Sequence, residues 1–278
     1  MSSTLCLDPP EIIKPVVLGA TGRLGGMLRD IWGPGGATWQ ARSARGGHHA
    51  VQPFDIETLK ALLRGAPAVL CLWGTVPGQA EDMGENVTLA RAALDAAAEA
   101  GAGRVFLASS AAVYGNARAP LHEGVAAPVS DYGRAKLDME RMATAHPHPS
   151  CALRIGNVAG ADAILAGWRP GMALDATPAR GTPRRSYVGP HGLAKTVRAL
   201  MRLPNLPPVL NLATPGAVAM GDLLDHAGLD WKPRTPSANV IWNVELDTTR
   251  LASLVRFDAD DVGAQAIVSD WRAWKDGT

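Results

Sequence analysis

The sequence predicts an α/β protein built on a doubly wound parallel sheet. Short apolar runs typical of buried strands alternate with helical segments through the first half of the chain. The first run leads directly into a glycine-rich turn, and a later one, residues 105–108, leads into Ser109 and Ser110. Ligands of such sheets bind beyond the carboxyl ends of the strands. The turn and the two hydroxyls are therefore expected to border one cleft.

The composition argues against several classes of function. The 278 residues carry a formal net charge of +1 and no long basic run, so no nucleic-acid partner is expected. No apolar run approaches membrane-spanning length and the N-terminus does not resemble a signal peptide, which predicts a cytoplasmic protein without a membrane partner. Cys6, Cys71 and Cys151 are far apart, so neither a disulfide framework nor a metal site is expected. A small-molecule substrate is the expected partner.

A glycine-rich turn follows the first predicted strand. Ile12, Ile13 and residues 16–18 form that strand, and the spacing after it is G-x-x-G-x-x-G, followed by a helix. Glycines at these places let the backbone turn tightly and approach a pyrophosphate at the positive helix N-terminus. The pattern predicts a Rossmann-like dinucleotide site, with a plain strand-to-helix turn as the alternative. The expected cofactor contacts are Gly19, Thr21, Gly22, Arg23, Leu24 and Gly25.

The second predicted strand, residues 37–41, ends without an acidic residue. An acid at this point would hold the ribose diol of NAD. Arg42 and Ser43 follow the strand instead, and an arginine suits the 2′-phosphate of NADP. The sequence therefore predicts NADP or NAD as the cofactor, with NADP favoured. The alternative is that Arg42 is only an exposed loop residue.

Two more segments supply candidate cofactor contacts. Asp55 and Ile56 open a helical run, and Asp55 is either an N-cap or a contact to the adenine amine, or both. The next buried strand ends at Trp73 and Gly74. Its carboxyl end should face the same cleft, so both residues are expected to contact the cofactor.

A tyrosine and a lysine share one face of a later helix. Ser130 or its neighbour is the expected N-cap, and Tyr132 and Lys136 lie one turn apart. A free phenol titrates near pH ~10, and a nearby ammonium favours the phenolate. With Ser109 or Ser110 at the neighbouring strand end, these groups can move a proton on or off an alcohol or carbonyl oxygen. The same spacing also occurs on ordinary helices, where the tyrosine packs and the lysine is solvated.

Four motifs occur in order along the chain: GATGRLG, SSAAVYG, YGRAK and LRIGNVAG. Together they resemble the extended short-chain dehydrogenase/reductase superfamily, and more narrowly its NAD-dependent epimerase/dehydratase family, from about residue 12 to 200. The resemblance implies catalytic roles for Ser110, Tyr132 and Lys136, with Ser109 as a cofactor contact. Tyr132 would be the acid/base, while Lys136 would lower its pKa and hold the nicotinamide ribose.

The resemblance also implies contacts in the second half of the chain. Val158 would meet the nicotinamide amide, and Asn157 would meet the diphosphate of a nucleotide sugar unless it only caps a turn. Arg185 matches an arginine that binds a substrate phosphate in similar proteins, with a surface role as the alternative. The aspartate that usually follows a few residues later is replaced here by Gly192.

Two alanines depart from one branch of that family. Similar dehydratases carry Asp-Glu after the catalytic hydroxyl, and this chain carries Ala111 and Ala112. Sugar 4,6-dehydration is therefore not expected. The missing acid after the second strand also counts against the tightly held NAD that an epimerase needs.

The predicted domain division has three parts. Residues 1–11 form an N-terminal arm, and residues 12–158 form the dinucleotide-binding Rossmann-like domain. Residues 159–278 form mainly a small C-terminal substrate lobe, except that a segment near 190–213 returns to the Rossmann-like domain.

These features predict an enzyme. It would be an NAD(P)-dependent oxidoreductase or epimerase that transfers hydride between nicotinamide and a carbonyl or secondary alcohol carbon of a sugar-like or nucleotide-sugar substrate. Two alternatives stay open: an NADPH-dependent reductase of a small non-sugar carbonyl, and a catalytically silent dinucleotide-binding regulatory protein. The resemblance also suggests a homodimer packed through helices at residues 85–100 and 130–145.

Overall fold

The strands assemble into one large sheet and several small ones. The computed structural model describes residues 13–75 and 82–277, so the predicted arm at residues 1–11 lies outside the described residues. Within the described ranges the strands are β1 (Val16–Leu18), β2 (Thr38–Ala41), β3 (His49–Ala50), β4 (Val69–Cys71), β5 (Val105–Ser110), β6 (Ser150–Ile155), β7 (Asn157–Val158), β8 (Ala173–Asp175), β9 (Arg184–Arg185), β10 (Tyr187–Val188), β11 (Val209–Leu212), β12 (Val218–Ala219), β13 (Lys232–Arg234) and β14 (Asn243–Val244).

The large sheet is parallel throughout. Its strand order is β11-β6-β5-β4-β1-β2-β3, and every neighbouring pair runs in the same direction. The chain moves outward from β1 to β2 and β3, then crosses back to β4 on the other side of β1. This reversal leaves a crevice beyond the carboxyl ends of β1 and β4. The predicted doubly wound parallel sheet is confirmed.

Helices cover both faces of this sheet. One face packs against α1 and α5, through residues such as Met27 and Leu193, and the other packs against α2, α3 and α4, through Leu59, Leu94 and Met139. In the described part of the chain no helix is both long and apolar enough to cross a bilayer. The helices are α1 (Arg23–Trp32), α2 (Ile56–Leu63), α3 (Glu85–Ala100), α4 (Asp131–Ala145), α5 (Pro190–Met201), α6 (Met220–Ala227), α7 (Thr249–Ala252) and α8 (Ala264–Asp276).

The first strand begins later than the sequence predicted. It starts at Val16 and leaves out Ile13, while Ile12 lies outside the described residues. Pro15 has no N–H to give to a neighbouring strand, which explains the late start. Its carbonyl still accepts a hydrogen bond from the N–H of Thr38 at 2.8 Å.

The alanine-rich helix α3 has the predicted bounds. Ala90, Ala93 and Ala97 are buried, and their small side chains let the helix lie close to the sheet. Gly101 ends the helix in a left-handed conformation at φ 62°. The N–H of Ala102 then donates to the carbonyl of Ala97 at 3.0 Å.

The C-terminal lobe has a core of its own. Leu165, Leu174, Leu223, Ile267 and Trp271 are buried together, between α6, α8 and the small strands. Within the same half of the chain, β11 pairs with β6 at the edge of the large sheet. The C-terminal half therefore contributes both to this lobe and to the sheet.

A carboxylate from α8 caps the N-terminus of α5. Asp270 accepts hydrogen bonds from the N–H of His191 at 3.0 Å and from the N–H of Gly192 at 2.9 Å. Its Oδ1 also lies 2.6 Å from Nδ1 of His191. The first N–H groups of a helix have no partner within the helix, so an acidic cap stabilises them. Residue 192, where similar proteins carry an aspartate, is glycine in this chain. The carboxylate at the N-terminus of α5 comes instead from Asp270 on α8.

Candidate active site

A cleft of about 750 Å³ opens at the carboxyl ends of β1, β4, β5 and β6. It contains most of the residues that the sequence indicated. The predicted residues that line it are Gly19, Thr21, Gly22, Arg23, Leu24, Gly25, Arg42, Ser43, Trp73, Gly74, Ser109, Ser110, Tyr132, Lys136, Asn157 and Val158.

The glycine turn brings the first strand very close to the following helix. Gly19 adopts φ 91°, which side chains disfavour. A Cβ added at Gly25 would lie 2.3 Å from the carbonyl oxygen of Gly19, so only glycine fits there. A Cβ added at Gly26 would meet nothing within 4 Å. The first turn of α1 therefore requires glycine at residue 25, whereas residue 26 can carry a side chain.

The N-terminus of α1 is open toward the cleft. Its N-cap is Gly22, which has no side chain to satisfy the first N–H groups. Together with the close approach at Gly25, this leaves room and hydrogen-bond donors for a dinucleotide pyrophosphate. The guanidinium of Arg23 spans the cleft edge and donates to the carbonyl of Ala161 at 2.9 Å.

The end of β2 carries the residues proposed for the adenosine ribose. Arg42 and Ser43 are both exposed and line the cleft. The carbonyl of Arg42 accepts a hydrogen bond from the side-chain amide of Gln52 at 3.0 Å, which anchors the backbone of this loop. No acidic side chain lines the cleft beside them within the described residues.

Tyr132 lies near the start of α4. Ser130 is the N-cap, as predicted, because its hydroxyl accepts the N–H of Gly133 at 3.1 Å. Burial raises the pKa of Tyr132 above its ordinary value, while a hydrogen bond with Ser110 and the charge of Arg23 oppose this increase. Ser110 also accepts the N–H of Ala112 at 3.1 Å, which fixes its side chain at the end of β5.

Lys136 is buried one turn further along the same helix. Its Nζ donates to the carbonyl of Ala108 at 2.8 Å and lies 5.8 Å from the centre of the Tyr132 ring. Burial lowers the pKa of Lys136 to about 8, with Cys71 and Glu140 acting in the opposite direction. The sequence led us to expect that Lys136 would lower the pKa of Tyr132. Burial of the phenol is the dominant effect in this geometry and the amine is bonded to the backbone, so a lowering of the Tyr132 pKa by Lys136 remains a prediction.

Ser109 lines the cleft, and its side chain is bonded to Glu140. Its hydroxyl donates to Oε1 of Glu140, and Glu140 forms a buried ion pair with Arg154 of β6, with Nη2 and Oε2 2.7 Å apart. Arg154 also donates to the carbonyls of Glu123 and Val125, at 3.1 and 3.2 Å. The preference for Ser110 over Ser109 as the hydroxyl that faces a substrate remains a prediction.

Three predicted residues do not line the cleft. Asp55 accepts the N–H of Thr58 at 3.3 Å as the N-cap of α2, with Ile56 as the first residue of that helix. Pro53 lines the cleft near them instead. Arg185 lies on β9 and donates to the carbonyl of Arg184 at 2.7 Å. The predicted contacts of Asp55 and Ile56 with adenine, and of Arg185 with a phosphate, remain predictions.

The far end of the cleft is formed by the segment after β6. Asn157 and Val158 form β7, and both line the cleft. Asp162 lines it as well, with its carboxylate accepting the O–H of Tyr187 at 2.7 Å and the N–H of Leu165 at 3.1 Å. The sequence analysis did not identify Asp162 as a cleft residue. The signal that could have identified it was an acid shortly after the G-N-V-A-G segment.

Gln40 and Glu140 were also missed. Gln40 interrupts an apolar strand with a polar side chain that is fully buried, and Glu140 follows Lys136 by four residues on the same helix face. The available signals were a polar residue inside a buried strand pattern and a charged residue four positions after Lys136 on the same helix face. No group of three or more His, Cys, Asp or Glu side chains within residues 13–75 and 82–277 could hold a metal ion.

The chain belongs to the NAD-dependent epimerase/dehydratase family, whose model matches residues 16–173. No curated protein sequence gives a significant match.

Solved structures of similar fold span nearly the whole chain. An NAD-dependent NDP-hexosamine 5,6-dehydratase, TunA, involved in tunicamycin biosynthesis, has a TM-score of 0.76 at 19% identity, covering 95% of this chain and 98% of its own. The UDP-N-acetylglucosamine 4-epimerase from Bacillus cereus has a TM-score of 0.75 at 18% identity, covering 96% and 97%. The UDP-glucose 4-epimerase from Stenotrophomonas maltophila, solved with bound NAD, has a TM-score of 0.73 at 18% identity, covering 95% and 98%. These likenesses support the doubly wound Rossmann-like fold.

Replacing Gly25 by alanine should abolish tight dinucleotide binding. The added Cβ would lie 2.3 Å from the Gly19 carbonyl oxygen, so the turn must move away from the position in which it is expected to receive a pyrophosphate. Isothermal titration calorimetry should show an affinity loss of about tenfold or more, since each factor of ten is about 1.4 kcal/mol. The matched control, Gly26→Ala, should bind like the unmodified protein and gain up to about 1 kcal/mol of helix stability. Equal binding by Gly25→Ala would contradict the assigned role of the turn.

The burial of Lys136 should make stability rise with pH. Its pKa in the folded protein is about 8 against 10.5 for a free lysine, so the unfolded chain binds more protons between these values. The free energy of unfolding, measured relative to a Lys136→Met variant by urea titration, should therefore increase by about 2 kcal/mol from pH 7 to 9.5. A difference that stays flat or falls over this range would show that the ammonium is not penalised by burial.

Proposed function

We propose that the chain is an NAD(P)-dependent oxidoreductase or epimerase. Its substrate carries a carbonyl or secondary alcohol carbon and is a nucleotide sugar or a smaller sugar-like molecule. The observation that carries the proposal is that Ser110, Tyr132 and Lys136 line the same cleft as the glycine turn. When bound, the nicotinamide cofactor supplies or accepts the hydride.

Tyr132 is the proposed acid and base at the substrate oxygen. In the reducing direction its O–H donates a proton to that oxygen, and in the oxidising direction the phenolate takes the proton back. Burial raises the pKa of Tyr132, so the protonated phenol predominates near neutral pH. The protonated form is the one that reduction needs.

Ser110 and Lys136 assist Tyr132 in this proposal. The Ser110 hydroxyl bonds to both the phenol and the substrate oxygen, which orients the oxygen for proton transfer. Lys136, held by the Ala108 carbonyl, binds the ribose hydroxyls of the nicotinamide half and is charged below pH of about 8. Asn157, which lines the cleft beyond them, is the proposed contact for the distal part of the substrate.

The cofactor is proposed to be NADP or NAD, with NADP favoured. The support is the exposed Arg42 and Ser43 at the end of β2, where a 2′-phosphate would gain a charge-assisted hydrogen bond. The similar epimerase from Stenotrophomonas maltophila was solved with NAD, so the adenosine end is where this chain is proposed to differ. A preference for NADP would favour a reductase, because an epimerase retains one cofactor through both half-reactions.

The chemistry after oxidation stays open between branches of the family. Ala111 and Ala112 replace the acid pair of 4,6-dehydratases. A 5,6-dehydratase is among the similar structures, however, so elimination of water by another route is compatible with the fold.

Residues 12–158 are proposed to bind the cofactor and residues 159–278 mainly to bind the substrate. A cytoplasmic homodimer through α3 and α4 is also proposed, and light scattering after size exclusion would contradict it by giving a monomer.

Replacing Tyr132 by phenylalanine should remove turnover while leaving dinucleotide binding. Loss of the acid/base should lower kcat by about a hundredfold or more. The assay follows nicotinamide absorbance or sugar interconversion across a panel of UDP-sugars and small carbonyl compounds. Tyr114→Phe is the control, because Tyr114 is buried, bonds to Asn211 at 2.7 Å and does not line the cleft. The Tyr114→Phe variant should therefore retain turnover. Undiminished turnover in Tyr132→Phe would refute the catalytic assignment.

Replacing Arg42 by glutamate should reverse the cofactor preference. The unmodified protein should bind NADPH more tightly than NADH by about tenfold or more, since a charged hydrogen bond is worth about 1.5–3 kcal/mol. A carboxylate at residue 42 repels the 2′-phosphate and can accept from the ribose diol of NADH. Arg64→Glu, the same charge change at an exposed residue after α2, should leave the calorimetric ratio of the two Kd values unchanged. Tighter binding of NADH by the unmodified protein would contradict the reading of Arg42.

A further inference from the structure

Gln40 is a fully buried polar side chain at the wall of the cleft. It lies on β2 with an exposed fraction of 0%. Its Oε1 accepts hydrogen bonds from the N–H of Gly19 and from Nε1 of Trp73, both at 2.9 Å. Its Nε2 donates to the carbonyl of Val51, just past β3. One side chain thus joins the carboxyl ends of four adjacent strands, β4, β1, β2 and β3.

The bond to Gln40 fixes where the Trp73 indole lies. Trp73 follows β4 and Gln40 belongs to β2, and these two strands pair with opposite edges of β1. An indole that reaches from one to the other must cross the carboxyl end of β1. Consistent with this, Cδ1 of Trp73 lies 3.3 Å from the place a Cβ on Gly19 would occupy. The indole therefore forms the cleft surface between the glycine turn and the end of β2.

That surface lies in the half of the cleft proposed for adenosine. Arg42 and Ser43 border it from β2, whereas Tyr132 and Lys136 lie on the other side of β1, toward β5. An aromatic face at this point offers a stacking surface for a base, and every base has a face to stack. The side chain can serve this purpose only if its orientation is fixed before the ligand arrives.

We propose that Gln40 is a positioning residue that holds the Trp73 indole and the Gly19 amide as one rigid wall, on which the adenosine half of the dinucleotide packs. The inference rests on the proposed function. If Gln40 had only a structural role, its replacement would lower stability without a selective change in binding.

The test compares the two halves of the dinucleotide in calorimetric titrations. Gln40→Leu should bind NADPH and ADP about tenfold more weakly, and Trp73→Phe several-fold more weakly, with binding of nicotinamide mononucleotide unchanged in both. Trp39→Phe is the matched control: Trp39 lies on the same strand, is buried, and donates its indole N–H to the carbonyl of Pro34 at 3.1 Å, outside the cleft. Its affinities should equal those of the unmodified protein.

A spectroscopic measurement without ligand completes the test. Trp73→Phe should remove one component of the near-ultraviolet circular dichroism, and Gln40→Leu should lose that same component because the indole is no longer held.

Unchanged ADP affinity in both variants, with the unmodified protein binding NADPH, would overturn the inference about Gln40 but not the proposed function. If the unmodified protein binds neither NADPH nor NADH, the proposed function fails and the inference fails with it. Should Gln40→Leu not fold, the affinities of Trp73→Phe against Trp39→Phe decide the question.

Discussion

Glu140 and Arg154 form an ion pair inside the protein, and the geometry of the candidate active site depends on it. Both side chains are almost fully buried. Removing two charges from water is costly, and the cost is offset only if nearly every polar atom finds a partner. Here Arg154 bonds to Glu140 through Nε and Nη2 and to two backbone carbonyls through Nη1, while Glu140 also accepts from Ser109. Breaking such a pair costs about 3–5 kcal/mol, so the elements it joins have little freedom to separate.

The position of the pair explains how the proposed catalytic side chains are brought together. Tyr132, Lys136 and Glu140 follow one another at four-residue spacing on α4, so they share one helix face. The last of them is fastened to β5 through Ser109 and to β6 through Arg154. The first two are then held against the end of β5, where Ser110 lies. An ion pair two turns along the helix from Tyr132 thus fixes the position of the proposed catalytic side chains relative to β5.

The two halves of the cleft are built differently. On the side proposed for nicotinamide, burial raises the pKa of Tyr132 and lowers that of Lys136 to about 8. Both shifts favour the uncharged forms of these side chains. On the side proposed for adenosine the wall is joined by neutral hydrogen bonds through Gln40, while the charged Arg42 is exposed.

Patterns in the sequence predicted the structural features that depend on interactions between residues close together in the chain. The alanine run and Gly101 set the bounds of α3, the Ser130 cap sets the start of α4, and alternating apolar runs predict the parallel sheet. Partners brought together from distant segments could not be predicted. Asp270 caps α5 from 78 residues away, and Gln40 binds Trp73 across a strand. Lys136 was expected to act on the phenol and on the nicotinamide ribose, whereas its bond to the Ala108 carbonyl depends on a contact that only the folded chain brings within reach.

A crystal structure of the protein with NADPH would decide whether the cleft is the cofactor site. The pyrophosphate should lie on the turn at Gly22 and Gly25, and the nicotinamide ring should lie beside Tyr132 with its ribose at Lys136. A dinucleotide bound elsewhere, or one whose nicotinamide points away from Tyr132, would rule out the proposed site.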